Sequence, residues 1–167
     1  MKYVWITLIV LAGALVLCLL AAVIRTLCLP RKRTNYEPST DEGRMNTYAE
    51  KLSKMVQIET ISVRGDDAID KFLAFHALLK ELFPTGFATC EKIDLGGNLL
   101  LKWKGAADQN PILLMGHMDV VEATGEWKYP PFSGAIAEGK VWGRGSADTK
   151  CSLMALLQAA EEMIEQG

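Results

Sequence analysis

The chain has 167 residues and a formal net charge of −2, with 50% hydrophobic and 23% charged residues. That hydrophobic share excludes a disordered tail, and 14 Gly with 6 Pro exclude collagen-like and linker-like chains. A sequence pI of about 5.7 argues against a nucleic-acid binder, which needs a basic face to neutralise phosphate. The cysteines, at positions 18, 28, 90 and 151, form no C-x-x-C pair, so neither a zinc ribbon nor a disulfide framework is expected.

The chain opens on an uncharged apolar run, residues 3–24, long enough to cross a hydrocarbon core of roughly 30 Å as a helix. Tyr3 and Trp5 stand at its outer edge, where aromatic belts lie. The run exceeds the usual apolar stretch of a cleaved signal peptide and no A-x-A site follows it. It has no polar face, unlike a helix packed on a soluble core. Residues 1–29 are therefore expected to be a single-pass membrane anchor, touching the bilayer through residues 3–24. Residues 30–38 read as a basic linker, and residues 39–167 as the globular part. Lys2 lies on one side of the run; Arg25, Arg31, Lys32 and Arg33 lie on the other, a bias that leans towards a cytoplasmic globular part. No Asn begins an N-x-Ser/Thr sequon.

Ser39-Thr40-Asp41-Glu42 has the form of a capping box. Met45, Tyr48, Ala49, Leu52, Met55 and Val56 then recur at helical spacing, predicting a helix to about Ile58. Arg64-Gly65-Asp66-Asp67 reads as a turn. A second helix carries Ile69, Phe72, Phe75, Leu79 and Leu82 on one face and stops at Pro84. Cys90 to Ile93 and Asn98 to Lys104 read as strands around Gly96-Gly97. After Asn110-Pro111, the apolar run Ile112–Met115 predicts a strand buried on both faces. Ala135 to Val141 reads as a hairpin around Glu138-Gly139. Leu153, Met154, Leu156, Leu157, Ala160 and Ile164 trace a third helix, with Gly167 at its C′ position. The pattern is that of a layered α/β domain without internal repeats.

Two stretches imitate phosphate loops. Gly134 to Lys140 fits most of G-x-x-x-x-G-K-[ST], but Val141 offers no hydroxyl and the flanks read as strand rather than helix. Gly143-Arg144-Gly145 begins a G-x-G-x-x-G whose last glycine is replaced by Asp148, a carboxylate that repels pyrophosphate. A nucleotide-binding protein is thereby set aside.

His117-Met118-Asp119 follows the expected buried strand, whose C-terminal end faces the ligand crevice in α/β sheets. In extended chain, residues i and i+2 share a face, so an imidazole and a carboxylate come together there. Imidazole is the commonest metal-binding side chain, and a neighbouring carboxylate fixes its tautomer. Asp148, at the turn into the third helix, reads either as a helix cap or as a metal-binding carboxylate, and the two roles are compatible. Glycines on both sides of Arg144 let the backbone approach another element closely.

The ordered set His117-x-Asp119-Val120-Val121, Trp127-x-x-Pro130-Pro131-Phe132-x-Gly134, Gly139-x-x-x-Gly143-Arg144-Gly145 and Asp148-x-Lys150 resembles the co-catalytic dizinc hydrolases. That family includes carboxypeptidase S, aminoacylase, glutamate carboxypeptidase, acetylornithine deacetylase and succinyl-diaminopimelate desuccinylase. The apolar N-terminus and Glu59-Thr60-Ile61-Ser62 are most similar to its membrane-anchored carboxypeptidase S branch. The resemblance implies a fold, the N-terminal part of a zinc-peptidase-like catalytic domain with helices packed on a mixed sheet, here preceded by one transmembrane helix. It implies that His117 ligates zinc, that Asp148 bridges two zinc ions, and that Asp119 is an active-site residue orienting His117. Cobalt and manganese are alternative ions. No ligand role is assigned to Arg144 or Lys150, and the loop from Trp127 to Phe132 shapes the rim of the cleft. Two positions depart from the pattern, Glu122 in place of a frequent Pro and Cys151 in place of a frequent Gly.

The resemblance covers the first third of such an enzyme. The Glu-Glu pair that supplies the general base, the remaining ligands and the lid or dimerisation domain are expected beyond residue 167, and dimerisation would run through that domain. Glu161-Glu162 falls on the outer face of the third helix and reads as solvated rather than as that pair; His76 reads as a surface or half-buried residue. The expectation is a zinc-dependent amide hydrolase acting on N-acyl amino acids or short peptides, with this chain alone inactive. A membrane-tethered, non-catalytic binding module on the same fold is the rival. Against the charge bias, the resemblance leans towards an extracytoplasmic or lumenal globular part.

Overall fold

The computed structural model describes residues 2–29, 40–65, 69–105 and 109–167. The basic linker at 30–38, Ser39 of the capping box, and Asp66 and Asp67 of the Arg64 turn lie outside the described residues. The chain divides into two units, residues 1–40 and 41–167.

The first unit holds α1, Lys2–Cys28, with no buried residue. Its 27 residues reach about 40 Å at 1.5 Å per residue, long and apolar enough to cross a membrane. Thr7 and Thr26 turn their hydroxyls back onto the carbonyls of Tyr3 and Ala22, so neither presents an unsatisfied donor.

The second unit begins with α2, Glu42–Gln57. Its N-cap is Asp41, whose side chain accepts from the Arg44 amide at 3.0 Å. This carboxylate lies within the expected capping segment and is a strong acceptor at a positive helix end. Helix α3, Asp70–Leu82, ends before Pro84, and the same Pro starts α4, Pro84–Thr89. Proline cannot continue α3, but its fixed φ suits a first helical position. Strands β1, Glu91–Leu95, and β2, Asn98–Lys102, pair antiparallel with Ile93 opposite Leu100. Gly96 and Gly97 make the two-residue turn, both at positive φ (66° and 87°), as a type I′ hairpin requires. A second hairpin joins β3, Ile136–Ala137, to β4, Lys140–Val141, through Glu138 and Gly139, again both at positive φ. Helix α5, Cys151–Gln166, closes on Gly167, whose amide bonds to the Ile164 carbonyl.

Met55 of α2, Phe75, Leu79 and Leu82 of α3, and Phe83 form the core. Leu99 of β2 and Leu153, Met154 and Leu157 of α5 pack onto it, so the predicted apolar faces of all three long helices converge.

Four expectations are corrected. Ile112–Met115 forms no strand and is 65–86% exposed. Its apolar faces find no sheet neighbour among the described residues, since β2 pairs only with β1. The expected mixed sheet is accordingly reduced to two antiparallel hairpins and one parallel bridge, Ile61 to Val120. His76 is buried, at 3% exposure, with neither ring nitrogen hydrogen-bonded among the described residues. Glu161 is buried too: its carboxylate accepts from the Thr85 and Gly86 amides at 2.8 and 2.6 Å. It caps α4 from across the fold, where two amides have no intrahelical partner. Glu162 is half-buried and bonds to Arg44 and Tyr48 of α2.

Two outcomes follow. Glu161→Ala strands one buried and one part-buried amide and is expected to cost about 2–6 kcal/mol at about 1–3 per unsatisfied group, read from urea unfolding; a merely solvated acid would cost nothing measurable. Burial, reinforced by the Lys92 charge, holds the His76 pKa below its ordinary value. The unfolded chain then binds a proton that the folded chain refuses, so stability is full above pH about 6.5 and falls as pH drops below it. His76→Leu is expected to flatten that loss, in urea midpoints compared between pH 7 and 5.

Candidate metal centre

The local frame is the segment after Ile112–Met115. Val120 donates its amide to the Thr60 carbonyl at 2.9 Å, and Ser62 returns an amide to the Val120 carbonyl at 3.0 Å. The Thr60 hydroxyl donates to the Met118 carbonyl at 2.5 Å. These bonds hold 118–120 extended beside 60–62, although no longer strand forms. Thr60 is fully buried and was not singled out by any pattern beyond its place in Glu59-Thr60-Ile61-Ser62. The legible signal was two β-branched residues, Thr60 and Ile61, immediately after the end of a helix.

The opposite wall is the turn 143–150. Gly143, at φ 148°, comes so close to α2 that a Cβ there would stand 2.4 Å from Val56 Cγ1. Gly145, at φ 84°, comes equally close to Val120: a Cβ would meet its Cγ1 at 2.6 Å. The close approach expected around Arg144 is thus present on both sides. The chain then makes a wide irregular turn, closed by the Lys150 amide on the Gly145 carbonyl at 3.0 Å, before entering α5.

Lys150 anchors this turn. Its side chain is fully buried; Nζ donates to the Met55 and Ile58 carbonyls at 3.0 and 2.8 Å and sits 5.0 Å from the Phe75 ring centroid. It satisfies carbonyls at the end of α2, where a cation also suits the helix dipole. Burial lowers its pKa to about 8.

The two walls bring together the residues of the sequence motif. His117 Nε2 lies 3.3 Å from Asp148 Oδ1, across 31 positions of sequence. On the other edge of the ring, Nδ1 lies 3.0 Å from the Asp119 carbonyl oxygen and 3.2 Å from its Oδ1. Both acceptors at Nδ1 favour a proton there; in the imidazolium Nε2–H donates to Asp148, and in the neutral ring the Nε2 lone pair is left open to a cation. The His117 pKa is raised, first by the Asp119 carbonyl and then by Asp148. The side chains are 53% (His117), 47% (Asp119) and 92% (Asp148) exposed, so this pairing contributes little to stability and stays open to a ligand. They line a cleft of about 250 Å³ with Arg144, Val120 and Gly145.

Among the described residues, no group of three or more His, Cys, Asp and Glu side chains is placed to hold a metal ion. Asp119 faces the edge of the ring away from Asp148, so the donors aimed at one point are two, an imidazole nitrogen and a carboxylate oxygen. That set matches zinc in kind, but a catalytic zinc takes three protein ligands. His76 is far from being a third: it is buried on α3, among residues that do not line this cleft. Cys151 turns its Sγ to the Ala147 carbonyl. Arg144, which lines the cleft, sets its guanidinium carbon 4.9 Å from the Trp127 ring centroid, while Trp127 is not among the lining residues.

Residues 113–167 match the family model described as peptidase family M20/M25/M40, a span that includes His117, Asp119 and Asp148. The chain belongs to this metallopeptidase family. It is 40% identical over 128 residues to "Probable carboxypeptidase S-like 2" of Dictyostelium discoideum, covering 71% of this chain and 24% of that protein. To carboxypeptidase S of Saccharomyces cerevisiae it is 36% identical over 143 residues, 76% of this chain and 25% of the relative. To the N-fatty-acyl-amino acid synthase/hydrolase of Mus musculus it is 33% identical over 165 residues, 92% of this chain and 33% of the relative. The chain thus spans a quarter to a third of the length of these relatives.

In the chelator-treated chain, His117 is expected to titrate above the ordinary imidazole value of about 6.5, and Asp148→Asn to lower it, because a neutral amide no longer favours the imidazolium. NMR titration of the imidazole Cε1 proton reads both; identical values in the two proteins would mean the two side chains do not meet.

Proposed function

We propose that this chain supplies the His117–Asp148 part of the zinc centre of an M20-type amide hydrolase acting on N-acyl amino acids or short peptides. The observation that carries the reading is the 3.3 Å approach of His117 Nε2 to Asp148 Oδ1 from two separately built walls. The substrate class rests on the names of the relatives, two of them carboxypeptidases and one an N-fatty-acyl-amino acid synthase/hydrolase. Residues 39–167 are proposed as the N-terminal portion of the catalytic domain, and residues 1–29 as its membrane anchor. The support for the anchor is the length and apolarity of α1.

In this reading His117 Nε2 and Asp148 Oδ1 are the donors to zinc. Lewis acidity toward water and toward the scissile carbonyl is what a bound zinc supplies there. Asp119 keeps the proton of His117 on Nδ1, so the free lone pair of the ring points into the cleft. Arg144 bounds the space beside the donors. Two donors bind a metal weakly, so the chain by itself is proposed to be inactive. The same two-donor set favours one second reading, a tethered module that binds without catalysis.

The test is zinc titration of the 167-residue chain against a chromophoric chelator. Weak binding, lost in both His117→Ala and Asp148→Ala, is expected, together with no measurable release of an amino acid from its N-acyl derivative. Zinc uptake indifferent to both substitutions would overturn the assignment. Turnover by the chain alone would overturn the proposal that it is inactive by itself.

A further inference from the structure

The two walls of the cleft are joined by one side chain with no part in the ligand set. Arg144 Nη2 donates to the Glu122 carbonyl at 3.1 Å, 22 positions away and three residues after Asp119. Its guanidinium carbon lies 4.9 Å from the centroid of the Trp127 ring. Trp127 is itself fixed, its Nε1 donating to the Thr124 carbonyl at 3.1 Å. The Arg144 main chain is pinned by its amide on the Pro131 carbonyl at 2.6 Å, between two glycines held tight against Val56 and Val120. Its Nε is buried without a partner among the described residues, and no carboxylate pairs with the guanidinium there. The group is therefore held by stacking and by one main-chain carbonyl, not by an ion pair.

We propose that Arg144 is a positioning residue. It latches loop 122–127, which continues directly from His117 and Asp119, onto the turn that carries Asp148, and so fixes the separation of the two donors. A planar fork that stacks on indole and donates at its edge does this in one geometry; the compact ammonium of Lys does not. Glu122 serves through its main chain, so a residue of any type there accepts the bond except where the loop itself changes course. This rests on the reading of His117 and Asp148 as zinc donors.

The experiment uses the full chain in detergent micelles, with Arg144→Lys as the principal variant because it keeps the charge beside the metal. Two readouts are taken: zinc affinity by chelator competition, and the indole resonance of Trp127, identified among the four tryptophans by Trp127→Phe. With the urea midpoint held, Arg144→Lys is expected to weaken zinc binding about tenfold, the scale of one stacking contact and one hydrogen bond, and to shift and sharpen the Trp127 signal. Arg144→Met is expected to disorder Trp127 in the same way. If Arg144→Lys does not fold, Trp127→Leu, which removes the shelf and leaves the carbonyl bond, is expected to weaken zinc in the same direction by a smaller factor. Zinc affinity unchanged while Trp127 moves makes Arg144 a packing residue only and overturns the latch. An unmoved Trp127 overturns it as well. Absence of zinc binding in the unsubstituted chain overturns the metal reading on which the latch rests, an outcome distinct from both.

Discussion

The meeting of His117 with Asp148 depends on a missing side chain. Gly145 lies where a Cβ would collide with Val120 at 2.6 Å, and Val120 is the residue that pairs with Thr60 and Ser62. Any other residue at 145 would push the two walls apart or break the parallel bridge. The left-handed φ of 84° at the same position carries its own penalty for a residue with a side chain. One position thus satisfies a packing demand and a backbone demand together, and the distance between His117 and Asp148 inherits both.

The buried Lys150 carries a desolvation cost. An ammonium taken out of water loses solvation, which is why its pKa falls to about 8. Two carbonyls at the end of α2 and the face of Phe75 recover part of that loss. A Leu or Met in its place would pack more cheaply but would leave those carbonyls bare. What the lysine contributes is a fixed relation between α2, which supplies Met55 to the core, and the turn two residues upstream that holds Asp148. The core and the site are therefore built on one another: the same helix end is a packing surface for Met55 and the acceptor for the side chain that anchors the turn.

What the sequence made legible was local. The three long helices of the globular unit follow from apolar periodicity, Pro84 and Gly167 mark their ends, and Gly96-Gly97 and Glu138-Gly139 mark the hairpins, because each of these depends on residues within a few positions. The motif containing His117, Asp119 and Asp148 was legible as well, through its resemblance to a family. Glu161 and Lys150 were not, because their burial is decided by partners 75 and 95 positions away. An acid on a helix reads as solvated until the amides of another helix's first turn are known to face it. His76 departs from expectation for a related reason: the helical pattern gives its angle on α3 but not that Lys92, Asp94 and Gly97 of the β1–β2 hairpin lie near it. Ile112–Met115 shows the converse, since an apolar run specifies a wish to be buried and not the neighbour that would bury it.

The two edges of the His117 ring divide the chemistry of the cleft. At Nδ1 the acceptors come from Asp119, two residues away on the same extended segment, so that contact survives wherever the segment stays extended. At Nε2 the contact is with a carboxylate from the opposite wall, and it depends on the glycine turn and the Lys150 anchor that place that wall. An imidazole with one edge tied locally has its ring plane set before the second donor arrives. The direction of its lone pair is then a property of residues 117–119, whereas the distance to the second donor is a property of the whole unit. A substitution in the segment would alter which atom of the ring is available. A substitution in the far wall would alter only the distance at which Asp148 meets a ring already oriented by its own segment.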